Sequence, residues 1–196
     1  MTTPLPFTWP YALLFWPIYV WVFMPEMRIV RQATVGTPPP AEDRGSLRVV
    51  MAGFTLALFA AFGLSFVTRA TLPGNRAVWF FAGLLVLISG SLLRRHCFRV
   101  LGTFFTGTVT IQAEHRVIDS GAYRWLRHPS YSAALLIVLG IGLSLGNGLS
   151  VVVPLLLAFP AYAYRARVEE EALLTSLGAP YAQFMAGRKR FVPFVW

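Results

Sequence analysis

The stretch Pro129–Tyr164, PSYSAALLIVLGIGLSLGNGLSVVVPLLLAFPAYAY, is a run of 36 residues without a charged side chain. As a single helix it would be about 54 Å long, whereas the hydrocarbon core of a bilayer is about 30 Å thick. Gly146-Asn147-Gly148 interrupts the run near its middle with residues typical of a turn. The stretch therefore predicts a hairpin of two membrane-crossing helices.

Three further uncharged segments lie upstream, and their lengths suit a membrane crossing. They are Phe7–Met24, Val49–Thr68 and Ala77–Leu93. A crossing helix needs roughly 17–25 predominantly apolar residues. The composition agrees, since 56% of the residues are hydrophobic and 13% are charged, against about 25% charged in an ordinary soluble domain. We predict an all-α integral membrane protein with about five transmembrane helices, forming a single domain over residues 1–196.

Basic residues are divided unevenly between the two sides that five spans would create. All but Arg69 and Arg76 of the 17 basic residues fall in segments 25–48 and 94–128 or in the C-terminal tail. Because cytoplasmic loops carry an excess of Lys and Arg, these segments are predicted to be cytoplasmic and the N-terminus external. The net charge of +9 is explained by this asymmetry and by anionic headgroups. Nucleic-acid binding would need a basic face exposed to water, and the sequence shows no such face.

Helix-end signals continue beyond the hairpin. Val168–Leu177 has a helical pattern, and Gly178 suits its C-cap. Pro180 suits the first turn of another short helix. The basic run 188–190 is expected to meet lipid headgroups, and the apolar end Phe191–Trp196 is expected to enter the membrane interface.

Titratable side chains cluster at both ends of the hairpin. The motif Arg127-His128-Pro129-Ser130-Tyr131 precedes it, and Glu169-Glu170-Glu171 follows it. Charged groups are costly beside a hydrocarbon phase, so such clusters at a membrane edge indicate a functional site. Pro129 suits the first turn of a helix, which predicts that the His128 ring is held at the cytoplasmic lip of the hairpin.

Several other chemistries are not indicated. No metal site is predicted, because His115 and His128 lie thirteen residues apart and form no HExxH-like pair. Ser130 lacks the GxSxG context of a serine nucleophile. Cys97 is the only cysteine, which excludes an internal disulfide.

Two blocks of sequence resemble the isoprenylcysteine carboxyl methyltransferase family, with its bacterial and archaeal relatives. In the first block, His115 is followed by Gly121-Ala122-Tyr123 and then by the Arg-His-Pro-x-Tyr motif of residues 127–131. In the second block, the acid pair Glu169-Glu170 is followed by Leu173, Leu177-Gly178, Tyr181 and Pro193. The family-like region covers residues 111–196.

The chain departs from the family pattern at two positions. Leu177 stands where an aromatic residue usually precedes the glycine, and Phe184 stands where a Tyr is usual. Residues 1–110 resemble the family only in having three spans and the loop Asp43-Arg44-Gly45-Ser46.

The resemblance implies S-adenosylmethionine as cofactor, in a cytoplasmic pocket formed by the C-terminal half. It also implies a lipophilic small molecule or lipidated substrate that arrives through the membrane lipids. Glu169 or Glu170 would hold the ribose hydroxyls or the methionyl ammonium of the cofactor. By the same resemblance, four other side chains line the cofactor pocket: His115, Tyr123, His128 and Tyr131.

Methyl transfer from a sulfonium to a carboxylate requires in-line positioning and no general base. An Arg beside the acceptor would bind its carboxylate through two parallel hydrogen bonds. Arg127, Arg165 and Arg167 are the candidates for this catalytic role, and the sequence does not choose among them.

Other functions also remain open. A phospholipid or small-thiol methyltransferase would keep the fold and change the acceptor, and an amine acceptor would need a base. A sterol-type reductase shares a similar C-terminal pattern but uses a nicotinamide cofactor, and five spans argue against it. A non-enzymatic membrane protein would keep the fold without turnover. Calorimetry with S-adenosylhomocysteine and NADPH discriminates among these classes.

The predicted topology is tested by reporter fusions after Gly36, Gly74, Gly107, Gly146 and Trp196. From the distribution of basic residues, we expect signals from inside, outside, inside, outside and inside, in that order. A cytoplasmic signal at Gly74 would contradict this arrangement.

Overall fold

The computed structural model describes residues 3–34, 41–105, 107–109 and 116–192. Within these ranges the chain forms six α-helices and short 3-10 turns, with isolated bridges in place of strands. The all-α prediction is thereby confirmed for the described residues. The helices are α1 (Tyr11–Thr34), α2 (Ser46–Leu64), α3 (Arg76–Leu101), α4 (Pro129–Leu145), α5 (Gly148–Leu177) and α6 (Ala179–Ala186).

The hairpin between α4 and α5 turns where the sequence predicted. Gly146 adopts a left-handed conformation with φ 69°, which ends α4. The side-chain oxygen of Asn147 accepts hydrogen bonds from the amides of Leu149 at 2.9 Å and Ser150 at 3.2 Å, so it caps α5. Its Nδ2 donates to the carbonyl of Val67 at 2.9 Å, which ties the turn to the loop after α2.

Helix α5 is longer than the uncharged stretch that predicted it. Its 30 residues correspond to about 45 Å, and it joins the last apolar segment to Val168–Leu177 without a break. No Gly or Pro interrupts the sequence between Tyr164 and Leu177, so nothing there ends the helix. The predicted cap at Gly178 and the helix that begins beside Pro180 are both confirmed. The acidic cluster therefore lies on the same rigid helix as the apolar span.

Close contact between α3 and α4 forms the centre of the bundle. Phe80 and Leu87 of α3 pack against Ile137 and Ile141 of α4 in the largest buried cluster. A Cβ atom at Gly140 would lie 2.5 Å from the amide nitrogen of Leu87, so only glycine allows this approach. Helix α2 packs mainly against α5.

The lengths of the helices support an integral membrane protein. Three described helices are long and apolar enough to cross a bilayer: Ser46–Leu64, Arg76–Phe104 and Gly148–Leu177. The apolar parts Tyr11–Met24 and Pro129–Leu145 are shorter. The count of five spans therefore stays a prediction, with α1 and α4 as its two short members.

The ends of α2 to α5 alternate between two sides of the bundle. On one side, the amide of Leu72 donates to the carbonyl of Gly146 at 2.9 Å, so the loop after α2 meets the hairpin turn. The opposite side collects the starts of α2 and α4 and the C-terminal half of α5. The titratable side chains predicted to form a site lie on this second side.

Candidate functional site

Backbone pairing with the C-terminal segment shapes the entrance to α4. The amide of Arg127 donates to the carbonyl of Lys189 at 2.9 Å, and the amide of His128 donates to the carbonyl of Arg190 at 3.1 Å. Phe191 is buried and its carbonyl accepts from the Ser132 hydroxyl at 2.5 Å. The expectation that Phe191 enters the membrane interface is therefore wrong, and residues 193–196 lie outside the described ranges.

His128 lies between two carboxylates. Its Nε2 is 3.0 Å from Oε1 of Glu170, and its Nδ1 is 3.5 Å from Oε2 of Glu169. Pro129 begins α4 and His128 is its N-cap, so the residue lies at the helix start as the sequence predicted. The ring of Tyr131 stacks in parallel at 5.2 Å between centroids.

These neighbours favour the protonated imidazole. Burial by itself lowers the pKa of His128, because the charged form loses its hydration. Hydrogen bonds to Glu169 and Glu170, together with their charges, outweigh the effect of burial and raise the pKa above its ordinary value. Protonated His128 would pair with both adjacent acids, since each of its ring nitrogens lies beside one carboxylate.

Glu170 is the most completely paired carboxylate in this cluster. Arg190 binds it with two hydrogen bonds, 3.2 Å from Nε to Oε1 and 2.5 Å from Nη2 to Oε2. Nη1 of Arg127 lies 3.1 Å from Oε1, beside His128. The expectation that Arg190 contacts lipid headgroups is wrong, because pairing of its segment with Arg127 and His128 turns it toward α5. Sequence reasoning missed this contact, since nothing in the spacing of the tail indicates it.

Glu169 is less enclosed, with 33% of its side chain exposed. The hydroxyl of Tyr131 donates to its Oε2 at 2.6 Å. Nε of Arg165 in turn donates to the Tyr131 hydroxyl at 3.0 Å. Within the described residues, both polar partners of Glu169 meet Oε2, so Oε1 is open to a ligand.

The remaining donors of Arg165 form hydrogen bonds with other parts of the chain. Its Nη1 lies 3.3 Å from Oδ1 of Asp43 and 3.1 Å from the hydroxyl of Ser46, and its Nη2 donates to the carbonyl of Gly107 at 2.8 Å. Every nitrogen of the guanidinium thus has a protein partner. Asp43 was not among the sequence-predicted site residues, although it stands in the one upstream loop that resembles the family.

The structure separates the three candidate arginines. Arg167 is exposed, and the helical rotation of about 100° per residue turns it away from the face that carries Arg165 and Glu169. Nε of Arg127 is buried and has no hydrogen-bond partner among the described residues. A buried donor without an acceptor is costly, which sets Arg127 apart from Arg165.

The remaining predicted residues fall in three different places. Tyr123 is buried. Glu171, to which no role was assigned, is exposed and pairs with Arg44 at 2.5 Å. His115 lies outside the described residues, so its predicted place in the pocket stays a prediction.

The glycine of the Gly-Ala-Tyr motif has a clear physical role. Gly121 has φ 58°, a conformation that residues with a Cβ rarely adopt. An added Cβ would also lie 2.6 Å from Nε2 of His96. Glycine is therefore required for the 3-10 turn Gly121–Arg124 that buries Tyr123.

Comparison with known proteins gives concordant matches. The sequence profile of the isoprenylcysteine carboxyl methyltransferase (ICMT) family matches residues 83–175. Protein-S-isoprenylcysteine O-methyltransferase B of Arabidopsis thaliana is 31% identical over 127 residues, which are 63% of this chain and 64% of that protein. The probable protein-S-isoprenylcysteine O-methyltransferase of Oryza sativa subsp. indica is 31% identical over 137 residues, which are 67% of this chain and 72% of that protein.

A solved structure shares the fold. The eukaryotic intramembrane Ras methyltransferase ICMT superposes with a TM-score of 0.64 at 20% sequence identity, over 94% of this chain and 71% of that chain. The profile match includes Arg127, His128, Tyr131, Glu169 and Glu170. It leaves out the loop before α2 and the C-terminal segment after α5, both of which contribute side chains to the cluster.

The raised pKa of His128 predicts a pH-dependent contribution to stability. Protonated His128 stabilises the folded state below about pH 6.5, and this contribution is lost as pH rises through the higher folded-state pKa. We therefore expect the gap in apparent Tm between the wild type and His128→Gln to be largest at mildly acidic pH and to narrow at alkaline pH. His96→Gln, at a histidine that packs on Gly121, serves as the control. A gap that widens with rising pH would contradict this assignment of charge.

Proposed function

Because the chain belongs to the isoprenylcysteine carboxyl methyltransferase family, we propose that it transfers a methyl group from S-adenosylmethionine to the carboxylate of a lipophilic acceptor. The observation that carries this proposal is the meeting of His128, Tyr131, Glu169 and Glu170 at the ends of two apolar helices. These residues come from both motif blocks. The reaction would take place at the membrane, on the cytoplasmic side that the basic residues indicate.

The chemistry of the cluster fits the cofactor. Oε1 of Glu169 is open and can accept from an ammonium or from ribose hydroxyls, as a charge-assisted acceptor. Tyr131 and His128 hold Glu169 in one orientation, so little freedom is lost when a ligand binds. The bound cofactor supplies the electrophilic methyl group.

Arg127 is the best of the three arginines for binding the acceptor carboxylate. Arg165 is fully used by protein partners, and Arg167 points from the opposite face of α5. Arg127 keeps one buried donor, Nε, while its Nη1 is anchored on Glu170. Because this Nε is shielded from solvent, an acceptor carboxylate would reach it only after a local movement of the Arg127 side chain. Once exposed, Nε would donate to the carboxylate and align it for in-line attack.

The acceptor is expected to come from the bilayer. The cluster lies where α4 begins and α5 leaves its apolar stretch, so a lipid tail can lie beside these helices while its polar end reaches Arg127. Burying the tail is favourable by about 0.8 kcal/mol per CH₂. The prenylated cysteine of the relatives' names has this combination of tail and carboxylate, and we propose the same class here.

Cofactor binding is tested with two adjacent glutamates. We expect Glu169→Gln to weaken S-adenosylhomocysteine binding roughly 10- to 150-fold, because a charge-assisted hydrogen bond contributes about 1.5–3 kcal/mol. Glu171→Gln is the matched control, since Glu171 neighbours the cluster on the same helix but pairs with Arg44 at the surface. Isothermal calorimetry in detergent measures both. Equal affinities in the two variants would remove Glu169 from the cofactor site.

The acceptor class is tested with a series of thioether-linked carboxylates of increasing tail length. We expect kcat/KM to rise with each CH₂, as the apolar surface buried on binding increases, and to level off once further tail atoms no longer contact the protein. Arg127→Lys should raise KM for the acceptor more than for the cofactor, since a point charge replaces a planar fork. Activity independent of tail length would favour the small-thiol alternative.

A further inference from the structure

Asp43 belongs to the loop before α2, far in sequence from both motif blocks and outside the stretch that matches the family profile. We propose that Asp43 is a positioning residue that orients Glu169 for the cofactor by way of Arg165 and Tyr131. This inference rests on the proposed function. It gives the N-terminal half of the chain a role in cofactor binding.

Asp43 is buried, and both of its carboxylate oxygens accept hydrogen bonds. The residue is only 1% exposed. Its Oδ1 accepts from the amide of Val109 at 3.0 Å and from the hydroxyl of Ser46 at 3.1 Å, and its Oδ2 accepts from the amide of Leu47 at 3.2 Å. Burial raises the pKa of Asp43, but the two amides, Ser46 and the charge of Arg165 outweigh burial and keep the pKa below its usual value. Asp43 is therefore a fixed anion, and its burial keeps it out of reach of a ligand.

Asp43 helps to fix the orientation of the Arg165 guanidinium. The guanidinium is planar and its donors form a rigid fork. Asp43 and Ser46 hold Nη1, and the carbonyl of Gly107 holds Nη2 at 2.8 Å. With two arms of the fork fixed, the direction of the third donor, Nε, is also fixed.

Tyr131 links the oriented Arg165 to Glu169. Nε of Arg165 donates to the oxygen of the Tyr131 hydroxyl at 3.0 Å. Since the hydroxyl has a single proton and this side of its oxygen is taken, the proton is directed to Oε2 of Glu169 at 2.6 Å. Oε2 is thereby held, and Oε1 keeps no hydrogen-bond partner among the described residues. Asp43 reaches the cofactor only through this chain of hydrogen bonds.

A merely structural role predicts a different outcome from a positioning role. Asp43 also ties its loop to the segment 107–109, so its loss would loosen the fold in either case. The adjacent Arg44 ties the same loop to the same helix by pairing with Glu171, and the Tyr164 hydroxyl donates to the Arg44 carbonyl at 3.1 Å. Arg44→Gln therefore weakens the contact between loop and helix without touching Arg165.

The test is a double-mutant cycle on S-adenosylhomocysteine affinity in the full chain, measured by calorimetry. We expect Asp43→Asn to weaken binding about tenfold, within the range of couplings in one hydrogen-bond network. In the Glu169→Gln background the same change should weaken binding less than about twofold, because its target has been removed. KM for the cofactor should rise while KM for the acceptor stays near the wild-type value. Arg44→Gln should leave both constants unchanged.

The positioning role would be overturned if the effects of Asp43→Asn and Glu169→Gln on the free energy of S-adenosylhomocysteine binding were additive. It would also be overturned if Asp43→Asn lowered the Tm but kept the wild-type affinity. If Asp43→Asn does not fold, Ser46→Ala removes one hydroxyl shared by Asp43 and Arg165 and should show the same non-additivity at smaller size. The absence of S-adenosylhomocysteine binding by the wild type would overturn the proposed function together with this inference. Wild-type binding with an unchanged Asp43→Asn variant would overturn this inference alone.

Discussion

A carboxylate buried at the edge of a bilayer must be paired, and Glu170 imposes this constraint on everything around it. Only 5% of its side chain is exposed. Removing one partner of a buried ion pair typically costs about 3–5 kcal/mol, because the other charge stays buried without compensation. Arg127, His128 and Arg190 all meet this single acid. The start of α4, the end of α5 and the C-terminal segment are consequently held in one arrangement.

The packed apolar helices keep the side chains around Glu170 in this one arrangement. Helix α5 continues from its apolar part into the acidic cluster without a break, so the positions of Glu169 and Glu170 follow from how the helix packs. Glycines such as Gly140 bring α3 and α4 into close contact. A site built on rigid helices keeps its geometry better than one built on loops. The loop residue Asp43 is an exception that is secured by complete hydrogen bonding.

Much of the fold was predictable because its signals are local. The hairpin turn follows from Gly146 and Asn147, and the end of α5 follows from Gly178, since each residue acts on the backbone beside it. The motif residues His128 and Glu169 were also predictable, through the family resemblance. The contacts of Asp43 and Arg190 were not, because they join segments whose approach depends on the packed helices. Asp43 and Arg165 are 122 residues apart, and no periodicity or spacing relates them.

The sequence by itself determined that the chain is helical and apolar, and where its titratable residues interrupt the apolar segments. Transfer of side chains from water to lipid and the capping of helix ends depend on each segment alone, so they can be read one segment at a time. Only the tertiary structure decided that every guanidinium nitrogen of one arginine has an acceptor and that another arginine keeps a nitrogen without one. Arg127 and Arg165 have the same chemistry and both flank the hairpin. They differ in which acceptors the folded chain brings within hydrogen-bond distance, and that distance is a property of the packing.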